Sequence, residues 1–219
     1  MSREINQENK TEYSYSQNRL LEVEEKLSVY LNEKYDMEFT VSGGGLKSVL
    51  EHNDFLIFYP SDNPEDYFRA DIMEDGEMND EYYSLLKQDE TAAYIRGMLI
   101  PVFGDCYVSA RMYRSFGKEY AKGTPVEEAV RLLQSEGEPL MLTANIFFQS
   151  TGHSEEELQA MAEEAKGIME ANGLDGLFGI YSMNAELSHE MSWEELEKLK
   201  GEAGNRAWKG SFAIHKSES

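Results

Sequence analysis

Three runs decide the fold: LMLTANIFF at 140–148, SEEELQAMAEEAKGIMEANG at 154–173 and LFGIYSM at 177–183. The first and last are short and rich in Leu, Ile, Phe and Tyr, the composition of buried strands. Between them Ser154 and Glu157 have the spacing of a capping box, in which hydroxyl and carboxylate each accept a backbone N–H at a helix start. Leu158, Met161, Ala162, Ala165, Ile168 and Met169 then recur at helical spacing, and Asn172-Gly173 supplies a left-handed stop. Strand, helix, strand is the reading.

Outward from this block the same signals recur. Ser192 and Glu195 predict a short helix to about Lys200, and Thr124, Pro125 and Glu127 predict another capped start. Strands are expected at Tyr107–Tyr113 and Trp208–His215. In the first half, Leu20, Val23, Leu27, Tyr30 and Leu31 mark an amphipathic helix from Arg19 to about Tyr35. Before it, residues 1–15 are polar and lack periodicity, and read as a flexible lead. Strands follow at Met37–Val41, broken by Ser42-Gly43-Gly44-Gly45, then at Phe55–Tyr59 and Tyr67–Met73, with an Asp75-Gly76 turn after the last. Asn79 is placed to cap a helix to about Gly97. The class expected is α+β, with antiparallel or mixed sheets covered by helices on one face. Two subdomains are expected, 16–117 and 118–219, because glycine and lysine concentrate around Phe116 to Gly123.

Charge excludes several functions. With 42 acidic against 20 basic residues the net charge is −22, a field that repels nucleic acid and anionic membrane surfaces. The longest apolar run, Met98–Phe103, holds Pro101 and is far short of a transmembrane helix. Cys106 is the only cysteine, so no intrachain disulfide or thiolate cluster can form. Ser42–Ser48 imitates a phosphate loop, but Leu46 and Val41 stand where the pattern needs glycine. Asp71–Asp80 imitates a calcium loop by composition, but the third position is Met73 and the twelfth Tyr82, where oxygen ligands are needed. His52, His153, His189 and His215 show no zinc-ligand spacing. No catalytic residues, metal or cofactor are expected.

One stretch departs from the acidic average. Residues 106–131 carry Arg111, Arg114, Lys118, Lys122 and Arg131 against Glu119, Glu127 and Glu128. Guanidinium groups beside aromatic rings suit carboxylate, phosphate or protein recognition. Arg111, Tyr113, Arg114, Phe116, Lys118, Tyr120 and Lys122 therefore form the candidate binding site, for a protein or a small anionic ligand. The competing role is internal neutralisation by neighbouring carboxylates.

Tyr30-Leu31-Asn32-Glu33-Lys34-Tyr35, Glu38-Phe39-Thr40-Val41, Phe58-Tyr59-Pro60, Asn63-Pro64-Glu65-Asp66, Phe68 and Asp80-Glu81-Tyr82 carry a family pattern over residues 20–100. It resembles a poorly characterised set of Gram-positive bacterial lipoprotein-like proteins. The resemblance implies a small surface-associated α+β protein and transfers no functional residue. The expected function is a non-enzymatic binding or interaction protein. The alternative is an acidic cytosolic inhibitor or immunity-type protein that neutralises a basic partner. The expected location is cytoplasmic for the sequence as it stands, or the cell envelope if a signal segment has been removed.

Overall fold

A computed structural model describes residues 5–48, 51–149, 152–184, 186–188, 191–202 and 204–214. The chain divides into two units. The first takes the described residues up to Leu85 together with Ser115–Gly123; the second takes Leu86–Arg114 and the described residues from Thr124 onward.

The first unit opens with α1 (Ile5–Tyr35), whose Val23, Leu27, Tyr30, Leu31 and Tyr35 are buried. The helix begins well before Arg19, so residues 5–15, expected as a flexible lead, are helical. Once the packed stripe has nucleated the helix, each further residue added costs no new nucleus and gains a backbone hydrogen bond. Residues 1–4 lie outside the described residues. Four antiparallel strands follow in the order β1 (Phe39–Gly45), β2 (Asp54–Pro60), β3 (Phe68–Ile72) and β4 (Met78–Asp80). β2 alternates strictly, burying Asp54, Leu56, Phe58 and Pro60, and α1 packs on the sheet. The glycine run expected to break β1 instead continues it, with a bulge between Val41 and Gly43. A Cβ at Gly44 would collide with the Phe55 carbonyl oxygen, so only glycine admits this close approach. The Asp75-Gly76 turn forms as expected: Gly76 has φ +89°, and its N–H donates to the Met73 carbonyl at 3.0 Å.

Asn79 belongs to β4 and caps no helix. Asp80 takes that part, its Oδ1 accepting the Tyr82 N–H at 2.9 Å ahead of the short α2 (Tyr82–Leu86). The single helix expected from 79 to 97 is therefore two, the longer being α3 (Gln88–Phe103) in the second unit.

The second unit also holds β5 (Cys106–Met112), α4 (Val126–Ser135), β6 (Leu140–Gln149), α5 (Glu155–Ala171), β7 (Leu174–Met183), α6 (Trp193–Gly201) and β8 (Arg206–Ile214). The sheet order is β5-β6-β7-β8, with β6 and β7 parallel and the outer pairs antiparallel. A parallel pair needs a crossover, which α5 provides. Both flanking serine boxes form: Ser154 with Glu157 and Ser192 with Glu195. Asn172 ends α5, and Gly173 follows at φ +68°. The helix start expected at Thr124 is shifted by one residue. Pro125 holds the N-cap position, and the Val126 N–H donates to Glu90 Oε1 on α3 at 2.7 Å. The fold is α+β, with one antiparallel and one mixed sheet. Among the described residues no helix is long and apolar enough to cross a membrane.

Candidate docking face

Alternation along the mixed sheet sorts its side chains onto two faces. One face buries Ala110, Leu142, Ala144, Ile146, Phe148, Phe178 and Ile180, on the side packed by α3 and α5. On the other, α6 covers only one end, where Leu196 packs on Phe147, Tyr181 and Met183. Elsewhere on that face the described residues include large side chains exposed to solvent. Met141 is 49% exposed, Tyr113 55% and Leu177 57%.

Strand register places the candidate residues on this open area. Arg111 is opposite Thr143, Thr143 opposite Leu177, and Leu177 opposite Ala213, one row across four strands. The next row is Ser109, Asn145, Gly179 and Ser211, small throughout and polar except at the glycine. The Tyr113 N–H donates to the Met141 carbonyl at 2.9 Å, which sets these two exposed residues side by side. The Arg111 guanidinium lies 5.6 Å from the Tyr113 ring centre, a cation–π arrangement that holds its charge at the surface. At the covered end, Lys209 and Lys200 approach the Tyr181 ring at 5.9 and 4.9 Å. Along the strands of this face the exposed charges, Arg111, Lys209 and Arg206 opposite Met183, are cationic, while the Asp175 carboxylate is buried. In a chain of net charge −22 this face runs against the molecule's overall field.

The other candidate residues separate. Arg114 is half-buried and pairs with Glu138 at 3.4 Å, the internal neutralisation weighed as its competing role. Phe116, Lys118, Tyr120 and Lys122 lie in the first unit, and two of them are core. Phe116 and Tyr120 are buried and form an aromatic trio with Tyr83, ring centres 4.8, 4.9 and 6.0 Å apart. The expectation that these rings flank guanidinium groups at a surface is thus corrected, because burying them is what attaches the 115–123 segment to its unit. That attachment is reinforced by polar contacts. Asp80 and Phe116 exchange backbone hydrogen bonds at 3.1 and 2.7 Å. Lys34 Nζ donates to Asp80 Oδ2 at 2.6 Å, to the Phe116 carbonyl at 2.8 Å and to Tyr30 Oη at 3.1 Å. Tyr30 and Tyr35 hydroxyls donate to the same carboxylate at 2.9 and 2.7 Å. Burial lowers the pKa of Lys34, with Asp80 opposing the shift; burial first and then the Asp80 charge raise both tyrosines. Lys118 and Lys122 are exposed.

Sequence reading missed Met141, Leu177 and Lys209. The available signal was Met141 and Leu177 themselves, apolar residues at strand positions whose parity puts them away from the helix-covered face. Cys106 is buried and its thiol is pushed up to about 11 by desolvation, as an inert core thiol should be. His189 and His215 lie outside the described residues; among those described, no group of three or more His, Cys, Asp or Glu side chains could hold a metal ion.

The fold and this face define an α+β protein with an exposed sheet surface that mixes apolar and cationic side chains. No family model matches the chain, and no curated protein matches it. Among solved structures it is similar to a DUF5037 family protein from Ruminococcus gnavus ATCC 29149, at 19% identity over 85% of this chain and 88% of that chain, with a TM-score of 0.34.

Proposed function

We propose that this is a non-enzymatic binding protein whose open sheet face docks the acidic surface of a partner protein. The observation that carries the reading is the coincidence of three exposed large apolar side chains, Tyr113, Met141 and Leu177, with the cation Arg111 on one rigid sheet. Exposed apolar area rimmed by polar groups is the usual form of a protein contact, with tyrosine and arginine its most productive anchors. Large exposed apolar side chains spread over three neighbouring strands suit a protein surface better than a small anion. The family resemblance adds the expectation of a cell-envelope location in a Gram-positive bacterium, which the coding sequence upstream of Met1 tests directly.

The experiment compares three baits in lysate from the source organism, with partners identified by mass spectrometry. The parent chain is set against Leu177→Asp and Arg111→Glu. A partner retained by the parent and lost with both variants, at unchanged melting temperature, supports the reading. Equal capture by all three removes it.

A further inference from the structure

The first unit carries a second surface of opposite character. A trough of ≈ 920 Å³ follows α1 from Glu22 to Lys34, and its far wall is Met78, Lys118 and Ala121. Its length is about 18 Å at 1.5 Å per helical residue, roughly three turns of a packed partner helix. Val29, 50% exposed, lines the trough midway along that stretch, and Leu21, 63% exposed, continues the apolar line two turns earlier. An adjoining hollow of ≈ 380 Å³ shares Tyr30, Met78 and Lys118 and adds Asp75, Glu77 and Glu119.

Charge decides what fits. Glu22, Glu25 and Glu33 line the α1 side, and Asp75 and Glu77 stand at the hollow. Lys34 contributes no free charge, being buried against Asp80; Lys26 and Lys118 are the cations of the lining, and Arg19, shared with Asp54, pairs with Glu22 at 3.5 Å, which leaves Glu25, Glu33, Asp75 and Glu77 to set the sign. We infer that the trough receives a cationic amphipathic helix of another protein, apolar side chains over Val29, Met78 and Ala121 and lysine or arginine toward the glutamates. An amphipathic helix in a groove places anchors at three- and four-residue spacing, and Glu25, Val29 and Glu33 recur at four-residue spacing along α1.

The test is fluorescence anisotropy of a labelled synthetic Lys/Leu amphipathic peptide against the full chain, with the same peptide carrying Glu for Lys as the reference. The cationic peptide should bind and the acidic one should not. Glu25→Lys with Glu33→Lys should weaken Kd by about tenfold or more, since like charges across an interface are strongly penalised. Glu163→Lys with Glu164→Lys on α5 changes net charge equally and should weaken it far less. Val29→Ser should weaken binding without altering its salt dependence. If the two charge reversals weaken binding equally, the peptide senses only the overall field and the inference fails. It fails too if Val29→Ser binds as tightly as the parent. Should the Lys pair melt early, Glu25→Gln with Glu33→Gln reads the same question. Leu177→Asp should leave this binding intact, which keeps the trough separable from the sheet face.

Discussion

At the scale of single residues, Lys34 and Asp80 are the most consequential pair. Their side chains are 1% and 0% exposed, and every proton of the ammonium has an acceptor. A buried pair of this kind adds little net stability, but removing one partner strands the other charge in a dry site. Lys34→Met should therefore destabilise the protein by about 3–5 kcal/mol. Urea denaturation measures this, and Lys34→Met with Asp80→Asn should recover part of the loss. A single variant as stable as the parent would mean that water reaches Asp80. Arg111 illustrates the opposite case, a charge kept at the surface by a neighbouring ring and free to be replaced without cost to the fold.

Elements show how caps divide into local and non-local devices. Ser154 and Ser192 cap their own helices through residues three positions on, so Ser154→Ala should cost about 1 kcal/mol. The start of α4 is held by Glu90, thirty-six positions away in sequence. Glu90→Ala should destabilise to a similar extent, about 1 kcal/mol, and raise amide exchange at Val126 specifically. Exchange at Val126 unchanged from the parent would show that α4 supplies its own cap. Strand existence was legible from composition except at β4, whose Asn79 was expected to open a helix, and every strand expected in the second half formed. What local pattern could not show was that Gly43–Gly45 would pair as a strand, because pairing depends on Leu56 and Phe55 lying opposite.

For the whole molecule, alkaline stability should report on the buried core of the first unit. Tyr30 and Tyr35 have pKa values raised by burial and by Asp80, so the folded chain keeps their protons where the unfolded chain releases them, near pH 10. Stability is thus present below that pH and is lost as pH rises above it, by about 1.4 kcal/mol per pH unit for each tyrosine. Lys34, lowered in the folded state, works the other way until about pH 10.5, where the unfolded lysine also deprotonates. Urea midpoints measured upward from pH 10.5 should fall steeply, and Tyr35→Phe should flatten the slope by one proton. A parent chain whose midpoint is level across that range would contradict these shifts.

The sequence by itself determined the alternation of strands and helices, the two serine boxes, the Asp75-Gly76 turn and the acidic field, because each of these is set by side chains within a few positions of one another. Only the tertiary structure decided that Phe116 and Tyr120 are core while Arg111 and Tyr113 are surface, although all four sit in one short run. Burial is settled by what folds back against a segment from far along the chain, here Lys34, Asp80 and Tyr83 for the first pair and the uncovered face of a four-stranded sheet for the second.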